Sequence, residues 1–179
     1  MAKSESIGKD LEGHAIIVTG GTRGVGLGIV RLLARVGARI MVTGRKLERL
    51  QKVSAELESL GAEHLTMQSN VADADACRAM VDRTVKEFGQ LDGLVANAQS
   101  FIPVTQLADI TESAFDLVLN TGPKGTLWLM QAALPHMKAR NRGRIVTFGT
   151  AMGNTGAPGY GPYAAAKEGV RSLTRTAAR

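Results

Sequence analysis

Thr19-Gly20-Gly21-Thr22-Arg23-Gly24-Val25-Gly26 stands between two kinds of hydrophobic pattern, and the change from one to the other settles the architecture. Before it, residues 15–19 read Ala-Ile-Ile-Val-Thr, a short continuous apolar run of the kind a strand buried on both faces requires. After it, residues 25–36 follow helical periodicity, with Ile29, Leu32, Leu33 and Val36 on one face. Glycine at 20, 24 and 26 permits a tight turn, lets backbone approach a pyrophosphate, and allows the helix to pack close to the sheet. The helix start offers unpaired N–H groups and a partial positive charge to the phosphates. Many turns hold three glycines and bind nothing; the strand before and the amphipathic helix after are what make this one a dinucleotide-binding turn.

The same alternation repeats along the chain without a linker. Gly37 ends the first helix, and residues 39–43 form a second strand. A charged amphipathic helix over 47–60 stops at Gly61, and 64–68 is a weaker third strand. Asp73 or Asp75 caps a helix running to about Phe88, followed by a fourth strand at 91–96. A loop and short helix lead to a longer helix over 113–137, interrupted in its middle by Gly122-Pro123. A fifth strand at 143–148 and a Gly/Pro-rich loop at 153–161 precede a final helix from about Pro162. Parallel strands joined by right-handed helical crossovers make an α/β, doubly wound sheet, whose ligands bind at the carboxyl ends of the strands. Residues 1–12 read as a polar segment and 13–179 as one domain built around the dinucleotide-binding turn.

Composition narrows the classes. At 44% hydrophobic and 21% charged over 179 residues, the chain is an ordinary globular domain rather than a disordered or fibrous one. No apolar run approaches the ~20 residues of a membrane-spanning helix, and the N-terminus lacks the apolar segment of a secretory signal. The lone Cys77 cannot form an internal disulfide, which fits a reducing cytoplasm. His14, His64 and His136 show none of the spacings metal sites use, so no metal is expected. The net charge of +6 is spread along the chain; only 138–144, with Lys138, Arg140, Arg142 and Arg144, is dense. That stretch reads as a solvated loop with few aromatics, so nucleic acid is not the expected partner.

Read together, these motifs are similar to those of the short-chain dehydrogenase/reductase family. The glycine turn has the spacing T-G-x-x-x-G-x-G, and Tyr163-Ala-Ala-Ala-Lys167 opens the last helix. Asn70-Val71 follows the third strand, where the family places residues beside the adenine, although it usually has an acid first. Ala96-Asn97-Ala98-Gln99 stands where the family writes N-N-A-G; Asn120 lies in the long helix and Thr150 follows the fifth strand. The resemblance covers nearly the whole chain and carries several motifs in order.

By that resemblance Gly20, Thr22, Arg23, Gly24, Val25, Gly26, Arg45, Asn70, Val71, Asn97 and Ala98, with Tyr163 and Lys167, bind the coenzyme. Charge bears on which one. Preference for NAD commonly rests on a carboxylate at the end of the second strand; here Thr43-Gly44-Arg45-Lys46 has none, and Arg23 adds a cation. Guanidinium groups suit a phosphate dianion, so NADP(H) is expected, with NAD(H) possible. Asn120, Thr150, Tyr163 and Lys167 are the catalytic set the resemblance implies. Tyr163 and Lys167 are four apart and share a helix face, and an ammonium near a phenol favours the phenolate. Tyr163 would exchange a proton with a carbonyl oxygen, Lys167 would hold the nicotinamide ribose, Thr150 would orient the substrate, and Asn120 would hold a water joining the lysine to solvent.

Three departures bear on activity. Threonine replaces the usual serine at 150, which keeps the hydroxyl but adds a methyl and stiffens χ1. Ala96 and Gln99 alter the coenzyme-side loop. The sequence given stops at Arg179 inside the last helix, whereas family members continue with a sixth strand, a substrate-covering loop, a further helix and a seventh strand. Either the sheet is short with an open pocket, or residues follow 179. The expected function is hydride transfer between NADP(H) and a carbonyl or secondary alcohol by a homo-oligomer, dimer or tetramer. The rival is a nucleotide-binding protein without turnover. Trp128, Leu129 and Met130 read as packing, Cys77 as a helix residue without a base, and Asp92 and Asp116 as unpaired carboxylates.

Overall fold

The computed structural model describes residues 9–179. Five parallel strands lie in the order β3-β2-β1-β4-β5: β1 Ala15–Thr19, β2 Arg39–Gly44, β3 His64–Gln68, β4 Gly93–Ala96 and β5 Arg144–Thr147. The helices are α1 Gly24–Arg35, α2 Leu47–Ser59, α3 Ala74–Phe88, α4 Glu112–Leu119, α5 Gly125–Ala139, α6 Met152–Thr155 and α7 Gly161–Ala177. No described helix is long and apolar enough to cross a membrane.

Residues of β1, β2 and β4 alternate between two buried faces. Ile17, Met41 and Leu94 point to one side and pack with Cys77, Met80 and Val81 of α3 and Leu129 and Ala133 of α5. Ile16, Val18, Ile40 and Val42 point to the other, against Val30 and Leu33 of α1 and Leu50, Val53 and Leu57 of α2. This explains why β1 and β2 read as continuous apolar runs. Asp73 caps α3, its Oδ1 accepting from the N–H groups of Asp75 at 2.9 Å and Ala76 at 3.2 Å.

Four sequence expectations need correction. The helix expected over 113–137 is α4, a π-helical turn at Asn120–Lys124 and α5, which runs on to Ala139. Pro123 has no N–H to give an i→i−4 bond, and the ladder widens there instead of breaking. The fourth strand begins at Gly93 rather than 91; Asp92 still ties the strand start to its neighbours, its N–H donating to Ala15 O at 2.9 Å and its Oδ2 accepting from Ala15 N–H at 2.9 Å. The loop expected at 153–161 overlaps the short helix α6, which ends where Gly156 takes φ +62°. The basic stretch 138–144 is not simply solvated. Arg140 Nη1 donates to Asp92 Oδ1 at 3.0 Å and its Nη2 to Gln90 Oε1 at 3.1 Å, while Arg142 meets His14. Burial pushes the Asp92 carboxyl up, but bonds from Ala15 and Arg140 outweigh it and hold the group below the usual carboxylate range.

Candidate active site

β1 is flanked by β2 on one side and β4 on the other, so the crossovers leaving the ends of β1 and β4 diverge and open a crevice there. Buried Thr19, at the end of β1, ties the two loops together. Its hydroxyl accepts from the backbone N–H groups of Asn97 and Ala98, each at 3.0 Å. The Asn97 amide returns the tie, donating to Thr19 O at 2.9 Å and Gly20 O at 3.3 Å. Asn97, expected to touch coenzyme, thus has its amide nitrogen spent on the glycine turn, and the two loops are bolted together.

The turn itself is built as the glycines require. Gly20 and Gly24 take φ +65° and +54°. A Cβ on Gly26 would lie 2.4 Å from Gly20 O and 2.6 Å from Asn97 Nδ2, so only glycine fits. α1 begins with no side-chain cap and no acidic residue in its first turn, leaving its first N–H groups to an external acceptor. They face a cleft of about 840 Å³. Its lining includes Arg23, Arg45, Lys46 and Arg49 and not one acidic side chain. Thr22, Val25, Asn70, Val71 and Ala98 line it as well. At the end of β3, Ser69 Oγ is buried there with no hydrogen-bond partner among the described residues. An extended polyanion with polar groups along its length matches this surface.

A second cavity of about 480 Å³ adjoins the first, and Val25, Asn97, Gln99 and Ser100 line both. Tyr163 and Lys167, one turn apart on α7, project into it. The Lys167 ammonium lies 5.6 Å from the centroid of the Tyr163 ring, a cation–π distance. Lys167 is only 6% exposed and forms no ion pair among the described residues, and burial pushes its ammonium below the usual lysine range.

Thr150 and Asn120 are placed differently. Thr150 lines neither cavity; its Oγ1 accepts from Met152 N–H at 3.3 Å at the start of α6, while the neighbouring Gly149 lines the second cavity. Asn120 opens the π-helical turn, half-buried and outside both linings. Its neighbour Thr121 does reach the cleft, accepting from Ser100 N–H at 2.9 Å.

Residues that sequence reasoning passed over complete the site. Arg49 follows Arg45 by four positions, a helical spacing that could have flagged it. Ser69 precedes Asn70 and carried no signal of its own. Tyr160 and Phe101 line the second cavity from the loops at its mouth; only their membership of those loops pointed to them.

A sequence model described as short chain dehydrogenase matches residues 14–179. The 3-oxoacyl-(acyl-carrier-protein) reductase FabG of Staphylococcus aureus is 38% identical over 165 residues, 91% of this chain and 66% of its own, so the chain spans just under two thirds of that relative. Among solved structures, a short chain dehydrogenase from Burkholderia cenocepacia in complex with NADP is 36% identical with a TM-score of 0.85, covering 93% of this chain and 67% of that one. An NAD+-bound xylitol dehydrogenase is 29% identical with a TM-score of 0.89, covering 93% and 64%. The two similar folds thus carry the two alternative coenzymes.

Proposed function

The chain belongs to the short-chain dehydrogenase family, and from that premise we propose that it transfers a hydride between NADP(H) and a carbonyl or secondary alcohol, with Tyr163 as general acid and base. One observation carries the reading: the cavity holding Tyr163 and Lys167 shares four lining residues with a cleft walled by cations and glycines. A ligand filling the cleft would extend to the tyrosine.

The residues present fit a dinucleotide. Gly20 and Gly26 let the turn fold tightly against Asn97 and Ala98, Gly24 takes a positive φ beside open space, and α1 supplies free N–H groups to a pyrophosphate. Ser69 Oγ, Asn70 and Val71 would meet the adenine end, and Arg23, Arg45 and Arg49 a 2′-phosphate. When bound, the nicotinamide supplies or takes the hydride. The protein's part is the proton. In reduction Tyr163 O–H gives its proton to the carbonyl oxygen while the carbonyl carbon gains hydride; in oxidation the phenolate takes it back. The Lys167 ammonium beside the ring opposes the negative charge left on Tyr163. Asn120, at the π-helical turn, is assigned to a water between Lys167 and solvent, and Thr150 to orienting the carbonyl through its hydroxyl. A homo-oligomer accompanies this reading; Phe115 and Leu117 stand exposed on α4.

The engagement of Thr150 with Met152 favours a second reading, nucleotide binding without turnover. Titration calorimetry with NADPH and NADH, followed by turnover of a panel of ketones, separates the two. We expect NADPH to bind at least about tenfold more tightly than NADH, and Arg45→Ala to erase most of that margin. Equal affinity for the two coenzymes would refute the role given to Arg23 and Arg45. Tight NADPH binding with no turnover of any ketone would favour the second reading.

A further inference from the structure

Beside Tyr163 the second cavity has a wall of rings. Phe101 meets Tyr163 edge-on, with centroids 5.4 Å apart and planes at 78°. It also lies 6.0 Å from the Tyr160 ring, at 43°. Phe148 and Met152 extend the apolar lining, and Lys167 is the one charged side chain in it. The wall is anchored at both ends. Ser100 N–H donates to Thr121 Oγ1 at 2.9 Å on the π-helical turn, and Thr105 N–H donates to Gly159 O at 3.2 Å in the loop before α7. Gly159 takes φ +79°, and a Cβ there would stand 2.3 Å from Val104 Cγ1, so the two loops close together only because this residue is glycine. Between these anchors Phe101 is 54% exposed. A large ring fixed in place and left open at a cavity costs apolar hydration that a ligand would remove.

We propose that Phe101 determines specificity, and that the substrate is an uncharged ketone or alcohol bearing a flat ring next to the reacting carbon. The proposal rests on the function given above, because it takes the reacting oxygen to lie at the Tyr163 hydroxyl. Phe101, its ring 5.4 Å from that of Tyr163, stands beside a group attached to a carbonyl held at the Tyr163 hydroxyl, and edge-to-face contact adds affinity beyond the area buried. A carboxylated substrate would lose its hydration in a lining whose single cation already serves Tyr163.

The test uses three ligands with the NADP+-loaded chain: acetophenone, its straight-chain counterpart 2-octanone, and the charged phenylglyoxylate. Dead-end binding is read by calorimetry, and kcat/KM with NADPH accompanies it. Acetophenone should bind roughly tenfold more tightly than either of the others, a margin set by ring contact and by the cost of burying a carboxylate. Phe101→Leu keeps the site apolar but should remove most of the preference for acetophenone over 2-octanone, with NADPH binding nearly unchanged. Similar affinity for all three ligands, or a Phe101→Leu variant that keeps the preference, would overturn the proposal while leaving the hydride-transfer reading intact. Failure of the unaltered chain to bind NADPH would overturn both.

Discussion

Lys167 is buried without a carboxylate among the described residues to match it, and the nearest compensation is the π-face of Tyr163. Burial lowers the pH at which it loses its proton relative to an unfolded chain, where it titrates near 10.5. The sign of the linkage follows. Between the depressed folded value and the unfolded value the unfolded chain binds more protons, so this lysine makes stability rise with pH across that window. Lys167→Met should abolish that rise in urea unfolding measured from neutral pH upward, and should be no less stable than the parent at neutral pH, while turnover falls. An unchanged pH slope in Lys167→Met would show that the lysine is effectively solvated. At this scale the sequence spoke clearly only where spacing constrains geometry: Tyr163 and Lys167 are one turn apart in any helix. Asp92 looked idle because its partners, Ala15 and Arg140, are far away in sequence. Phe101 was hidden for the same reason, its meaning coming from rings some sixty positions on.

Among the elements, the glycine turn and α1 wall the cleft proposed to hold the coenzyme. Two glycines on α1 make a controlled comparison. Gly26 has no room for a Cβ, with Gly20 O and Asn97 Nδ2 both under 3.0 Å away. Gly28 has nothing within 4 Å. Gly26→Ala should cost about 1–3 kcal/mol through overpacking and weaken NADPH binding at least about tenfold. Gly28→Ala should be neutral or stabilise by about 0.5–1 kcal/mol, since alanine is the better helix former, and leave NADPH binding alone. Chemical unfolding and calorimetry on both variants check this; similar losses in the two would contradict the close approach. The central strands β1, β2 and β4 were legible because parallel strands buried on both faces leave apolar runs, whereas the edge strands β3 and β5 are only partly buried. The π-helical turn was not, since Gly122-Pro123 signals a disturbance without saying whether the helix breaks, kinks or widens. The outcome depends on tertiary ties such as Ser100 to Thr121 that no local pattern encodes.

Over the whole molecule, the strand order β3-β2-β1-β4-β5 brings together three segments remote in sequence: the turn after β1, the loop after β4 and the start of α7. The first two meet at Thr19 and Asn97, and the third brings Tyr163 and Lys167 to the cavity beside them. The resemblance, carried by motifs in the family's order, implied this convergence, while right-handed crossovers between alternating strands and helices implied the sheet that makes it possible. The contacts of Thr150 and the division of the site into two joined cavities were not readable that way, since both depend on how loops of irregular backbone settle against each other. In the proposed function Tyr163 moves the proton while the cleft beside it holds the coenzyme. Ketone reduction by Tyr163→Phe, with NADPH affinity measured on the same samples, tests it most directly. The expected result is a fall in kcat of roughly 10²–10⁴-fold with NADPH binding nearly unchanged; a Tyr163→Phe variant that keeps most of its turnover would contradict the claim.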